Sequence, residues 1–200
     1  MINNQERTSY LKEIKTSPFT VKMAKDVGLS FYDLQVLVDL NRLEKTGRGI
    51  YSKVRKASKE DDNQEFKTSL IQIGEPSCIC LLSALYLYGI TDEIPNQTWV
   101  YVPYEKTSRL ATIKTIRKRH FDWCTGIEYF KGLRITSIER TLIDCLVDKK
   151  HFTQLDAIKY TKNALGENLT NIKKLLTMAK KLNVDHKVKM ILTMLQENYV

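Results

Sequence analysis

Apolar residues in the first quarter of the chain recur at helical spacing, break off, and recur again. Tyr10, Leu11 and Ile14 share one face of a segment from Asn3 to Lys15, which Ser17-Pro18 interrupts. Met23, Ala24 and Val27 follow at i, i+1 and i+4, and Thr20 stands where a cap belongs. Gly28 ends that helix, because the turn needs a positive φ that glycine tolerates. Leu29 then points inward, Ser30 caps a second helix, and Leu34, Leu37 and Val38 continue its inward face. Two short strands, Leu43 to Lys45 and Ile50 to Lys53, flank Thr46-Gly47-Arg48-Gly49, a tight turn whose two glycines permit positive φ. Three helices and a glycine-tipped hairpin, with the small Ala24 where two helices cross, predict a winged helix-turn-helix.

The pattern then changes. KASKEDDNQE, from Lys56 to Glu65, is charged and nearly free of apolar residues. It predicts three parts: a winged helix over 1–56, a linker over 57–65, and a second domain over 66–200. After Glu75-Pro76-Ser77, CICLLSALYLYG reads as a core helix, apolar almost all round and ended by Gly89. Thr98 to Val102 is a β-branched and aromatic strand closed by Pro103. Ile113 to Phe121 reads as a strand or edge, and Ile127 to Phe130 with Leu133 to Ile135 as a hairpin around Lys131-Gly132. Thr136 and Glu139 have capping-box spacing, ahead of a helix that buries Ile138, Leu142, Ile143 and Leu146. Three further helices follow, marked by Leu155, Ile158 and Ala164, by Leu169, Ile172, Leu175, Leu176 and Ala179, and by Val188, Ile191, Leu192 and Leu195. Gly166 is expected to end the first of them. The expected fold class is α+β: an N-terminal winged helix-turn-helix, then a mixed α/β domain with a small sheet and a helical C-terminus.

Composition narrows this little. No run reaches the ~18 apolar residues of a membrane span, and MINNQERTSY lacks the apolar core of a signal peptide. No membrane partner and a cytoplasmic location are therefore expected. Cys78, Cys80, Cys124 and Cys145 do not have zinc-ligand spacing, and histidines are few, so no metal is expected. Cys78, Cys80 and Cys145 read as reduced core thiols. Charge changes the picture more. The chain carries a net +9, unevenly: residues 1–60 hold 12 Lys and Arg against 7 acids, and residues 61–103 hold 1 against 6. A basic chain gains a salt-dependent attraction to polyanions.

The candidate chemistry is recognition of double-stranded DNA. Tyr32, Gln35, Val36 and Asp39 form the outward face of the second helix, the face that would enter the major groove. Tyr32 and Gln35 are placed to read bases. Ser30 and the helix N-terminus are placed to hold phosphate. Arg48 tips the wing, with Lys45, Lys53 and Arg55 beside it to set affinity and salt dependence. In the second domain, Arg117, Lys118 and Arg119 with His120 make a basic patch, and Lys173 and Lys174 a basic helix face. No nucleophile elbow, phosphate-cradling glycine loop or zinc-ligand set occurs. Glu128 and Lys131 come nearest to a nuclease pair, but their spacing puts them on opposite faces of one strand. No catalytic residue, no cofactor and no enzymatic activity are expected.

With these residues in view, the chain resembles the AbiEi family, the antitoxin and transcriptional regulator of type IV toxin–antitoxin systems. Three stretches carry the likeness: the wing ending in Gly47-Arg48-Gly49-Ile50-Tyr51; Ser83-Ala84-Leu85 through Gly89-Ile90-Thr91-Asp92 to Pro95 and on to Val102-Pro103; and Ile138-Glu139-Arg140-Thr141-Leu142-Ile143-Asp144. Their order and spacing cover about the first three quarters of the chain. The resemblance implies an autorepressor of an abortive-infection, phage-defence operon that binds its own operator. It also implies a C-terminal domain that counters a nucleotidyltransferase-like toxin, with or without direct contact. Arg117, Lys118, Arg119, Lys173 and Lys174 are the expected antitoxin surface. The alternative is an orphan winged-helix protein in which the same basic residues dock an acidic protein or RNA. Arg140 and Asp144, at i and i+4, are placed to form an ion pair within the second domain.

Overall fold

Asn3 starts the first helix by a reciprocal exchange. Its side chain accepts from the backbone N–H groups of Gln5 and Glu6, and the Glu6 carboxylate accepts from the Asn3 N–H. The computed structural model describes residues 2–54, 63–105, 111–118 and 123–197. They fall into two compact units, Met1–Glu75 and Pro76–Val200.

The first unit runs α1 (Asn4–Glu13), β1 (Phe19–Thr20), α2 (Val21–Asp26), α3 (Phe31–Asp39), β2 (Leu43–Gly47), β3 (Ile50–Lys53) and α4 (Gln64–Ile73). Its sheet has the order β1-β3-β2, antiparallel throughout, with Phe19 opposite Tyr51 and Leu43 opposite Lys53. Leu11, Phe19, Leu29, Leu34, Leu37 and Tyr51 close its core around Ala24, which is wholly buried. The Thr20 and Ser30 side chains cap α2 and α3, and Gly28 takes a φ of 92° between them. Met23, expected to face inward, is exposed instead. Helix α2 is six residues long, and its inward stripe is Val21, Ala24 and Val27, spaced i, i+3 and i+6, so Val21 takes the place expected of Met23. Of the two wing glycines only Gly49 uses a positive φ, 73°. Gly47 has no positive φ, and a Cβ there would meet the end of the flexible Gln72 side chain of α4.

Helix α4 moves the predicted boundary. Phe66 and Ile73 are buried, Gln64 Nε2 donates to Glu44 Oε1 at 2.9 Å, and the helix packs on β2 and β3. Residues 64 and 65 therefore belong to a helix and not to the linker, and the second unit begins at Pro76, not Phe66. The rest of the predicted linker, up to residue 62, lies outside the described residues.

The second unit contains β4 (Cys78–Ile79), α5 (Leu81–Leu87), β5 (Thr98–Val102), β6 (Ile113–Arg117), β7 (Ile127–Phe130), β8 (Leu133–Thr136), α6 (Ile138–Val147), α7 (Gln154–Gly166), α8 (Ile172–Lys181) and α9 (Asp185–Glu197). Its five-stranded sheet has the order β6-β5-β4-β8-β7. β4 is antiparallel to β5 and parallel to β8, β5 is parallel to β6, and β7 is antiparallel to β8. The β7–β8 hairpin turns at Lys131 and Gly132, both at positive φ (49° and 75°), as a two-residue turn of this twist requires. Cys78 and Tyr101 of the sheet share one core with Leu142, Leu175, Ala179 and Leu192 of the helices. The described residues form a mixed α/β protein with two small sheets.

Two expectations change here. Cys78 and Ile79 are the central strand of the sheet, not the start of a helix, and α5 begins only at Leu81. An apolar run buried on every side carries no period, so a strand and a helix look alike in it. Helix α6 is capped by Ser137, whose side chain accepts from the Arg140 N–H, and not by Thr136. Thr136 is instead the last residue of β8, its hydroxyl 2.7 Å from that of Thr141. The cysteines Cys78, Cys80 and Cys145 are buried free thiols, and burial pushes the Cys78 thiol up to about 12.

Arg140 ties the second unit together. It is fully buried. Its Nε donates to Asp144 Oδ2 at 3.3 Å, and its Nη1 donates to the carbonyls of Trp123 and Thr125. Gly126 lies against it with a φ of 66°, and a Cβ there would fall 2.9 Å from Arg140 Cβ. Gly126→Ala is therefore expected to destabilise this unit by about 2–4 kcal/mol, combining overpacking with left-handed backbone strain. Thermal unfolding followed by circular dichroism measures it, and a loss below about 0.5 kcal/mol would show that the contact yields easily.

Candidate nucleic-acid interface

The start of α3 is held by charge. Ser30 Oγ accepts from the Asp33 N–H, and Asp33 Oδ2 accepts from both the backbone N–H and the hydroxyl of Ser30. The other carboxylate oxygen of Asp33 accepts from Arg7 Nε of α1 at 2.7 Å, with both side chains buried. Burial alone would raise the Asp33 carboxyl, but the hydrogen bonds from Ser30 and Arg7 outweigh it and hold the group below its ordinary value. Arg7 also lies 5.9 Å from the centre of the Tyr32 ring. One arginine thus connects α1 to the first turn of α3 from two sides.

This geometry spreads the predicted DNA-binding residues among different roles. Tyr32 is 61 % exposed, Gln35 and Asp39 are exposed, and Val36 is half-buried, so these four share the open face of α3. Asp33 faces inward and does not contribute to that face. Lys45 and Arg48 are exposed on the β2–β3 arm. Ser30 is exposed, but its hydroxyl is engaged by the Asp33 carboxylate, so its job in the fold is the cap. Lys53 is half-buried: its ammonium donates to the Ile14 carbonyl and its backbone N–H to Ser17 Oγ. It fastens β3 to the end of α1. Arg55 lies outside the described residues.

The basic residues of the second unit divide in the same way. Arg117 is exposed at the end of the edge strand β6, 3.4 Å from the Glu105 carboxylate. Lys118 turns inward, with Nζ 2.6 Å from Asp144 Oδ1 and 5.2 Å from the centre of the Tyr101 ring. It closes the Arg140–Asp144 pair into a network of two cations and one carboxylate, as the i, i+4 spacing of that pair anticipated. Lys118 is thus a structural residue and not part of an open patch. Arg119 and His120 lie outside the described residues. Lys173 and Lys174 are exposed on α8.

Two positions were missed from sequence. Arg7 has a readable signal, since a cation four residues before Leu11 on the inward face of α1 needs a buried acid. Phe31, 56 % exposed at the first position of α3, extends the aromatic part of the open face next to Tyr32. Its apolar character argued for burial, and only the orientation of the helix places it outside.

No helix among the described residues is long and apolar enough to cross a membrane. No family model matches the chain, and no curated protein matches it. Among solved structures it is similar to the crystal structure of the RV2827C protein from Mycobacterium tuberculosis, with a TM-score of 0.57 and 12 % identity over 88 % of this chain and 70 % of that one. At that identity the likeness is one of fold.

Proposed function

We propose that the chain is a DNA-binding autorepressor whose first unit is a winged helix and whose second unit acts as the antitoxin of a type IV toxin–antitoxin operon. The observation that carries the DNA-binding reading is the open face of α3, where Tyr32 and Gln35 stand exposed, together with an arm that carries Lys45 and is tipped by Arg48. The element order, with the sheet order β1-β3-β2, is consistent with a winged helix. The antitoxin reading rests on the resemblance of three stretches to the AbiEi family. Its partner is a nucleotidyltransferase-like toxin, it works in the cytoplasm, and it needs neither cofactor nor catalytic residue. Arg117, Lys173 and Lys174 are its exposed cations for partner contact.

A gel shift on DNA from upstream of its own gene, at two salt concentrations and against a scrambled competitor, tests the first half. Specific binding is expected to survive the competitor. Gln35→Ala is expected to lose about 1–3 kcal/mol of discrimination, and Arg48→Ala to weaken binding on any sequence and flatten its salt dependence by about one unit of slope. Equal competition by scrambled DNA would overturn the repressor reading.

A further inference from the structure

A groove of about 550 Å³ lies between α1 and the turn that follows α3. Asn4, Gln5, Thr8 and Ser9 line it with uncharged polar groups, and Lys12 and Arg42 with positive charge. Leu40 gives it one apolar wall, and among the described residues no carboxylate lines it. The arrangement follows from local structure. Asn4, Thr8 and Lys12 are spaced i, i+4 and i+8 and form one stripe, as do Gln5 and Ser9, while Arg7, Leu11 and Ile14 face the core. On the other side, Asn41 ends α3 at a φ of 51°. The Asn41 N–H donates to the Val38 carbonyl and the Arg42 N–H to the Leu37 carbonyl, which fixes where Arg42 leaves the helix.

Two cations among amides and hydroxyls, with no acid in the lining, make the chemistry of a phosphodiester contact. Lys12 and Arg42 also stand near helix C-termini, where positive charge is favourable in itself. That accounts for the charges, but not for the open groove between them; along it the Thr8 hydroxyl donates to the Asn4 carbonyl and Asn4 Oδ1 accepts from Arg7 Nη1, so the donors it offers a phosphate are the amide N–H groups of Asn4 and Gln5 and the Ser9 hydroxyl. Leu40 comes four residues after Val36 of the open face, one helical turn further along the same side. The groove is therefore close to whatever α3 faces.

We infer that this groove is a backbone contact for the DNA that α3 faces, with Lys12 and Arg42 gripping a phosphodiester and the α1 stripe hydrogen-bonding it; the inference rests on the DNA-binding reading above. Fluorescence anisotropy on the full chain, with labelled duplex from upstream of its own gene over a salt series, tests it. The double variant Lys12→Gln/Arg42→Gln keeps side-chain bulk. Lys180→Gln/Lys181→Gln removes the same charge from the second unit and serves as control. The groove variant is expected to flatten the slope of log affinity against log salt by about one unit relative to wild type, and to weaken specific and scrambled duplexes alike. A groove variant with the slope of the control pair would overturn the inference while leaving the DNA-binding reading standing. A wild-type chain that binds no duplex at any salt would overturn both. Thermal unfolding of each variant separates a lost contact from a lost fold: a groove variant that melts well below the control, with an unchanged slope, assigns the two cations to the helix ends alone.

Discussion

Replacing Arg140 with methionine is expected to cost the second unit about 3–5 kcal/mol, the range for breaking a buried ion pair by removing one partner. The side chain is fully buried, and its guanidinium serves three acceptors: Asp144 and the carbonyls of Trp123 and Thr125. Methionine fills much of the space but leaves both carbonyls without that donor. Lys118 still neutralises Asp144 from 2.6 Å, which holds the loss toward the lower end. Among the described residues Nη2 is buried without a hydrogen-bond partner, a desolvation cost that methionine relieves. Asp144→Asn is expected to be the more damaging change, since it leaves Arg140 and Lys118 as two cations with no carboxylate between them. Calorimetry of Arg140→Met, Asp144→Leu and the double change Arg140→Met/Asp144→Leu closes the cycle. The double variant is expected to recover part of the loss, because an apolar pair does not have to desolvate charge. A loss under 1 kcal/mol for Arg140→Met would show that the packing against Gly126 and Tyr101, and not the charge, holds this region.

The contrast between the two units shows which kinds of order the sequence carries. Helices α2 and α3, their caps at Thr20 and Ser30, the turn at Gly28 and the β2–β3 arm were legible, because each depends on residues within a few positions of one another. The strand β4 was not, because Cys78 and Ile79 are buried on all sides and their apolar run has no period to read. Helix α4 was hidden by the charged segment before it, and its packing on β2 and β3 exists only after folding. The candidate site divides along the same line. The exposure of Tyr32, Gln35, Lys45 and Arg48 follows from local pattern. The removal of Lys53 and Lys118 from the surface depends on Ile14 and Asp144, which lie 39 and 26 residues away in sequence. A lysine in a basic run reads as a surface charge until the fold supplies it with a buried acceptor.

Asp33→Asn is expected to destabilise the first unit by about 3–5 kcal/mol at neutral pH, for the same reason and with a pH signature of its own. Asparagine can still accept from Ser30, so the cap survives in part. What is lost is the counter-charge to Arg7, whose guanidinium is buried at the junction of α1 and α3. The Asp33 carboxyl is held below its ordinary value of 3.8 in the folded state, so between the folded and unfolded values the unfolded chain binds more protons. Stability in that window therefore rises with pH. The contribution of the pair is fully present above about pH 4 and is lost as pH falls through the folded value. The wild-type melting temperature of this unit is thus expected to drop steeply below pH 4. The Asp33→Asn curve is expected to start lower at neutral pH and to converge on wild type in acid. Parallel curves, offset equally at every pH, would mean that Asp33 works through its cap hydrogen bonds and not through its charge. Arg7→Met separates the two, since it removes the ion pair and leaves the Ser30 cap intact. It also removes the cation beside Tyr32. If the pair's purpose is to hold the reading face of α3, Arg7→Met weakens specific DNA binding by more than its stability loss explains.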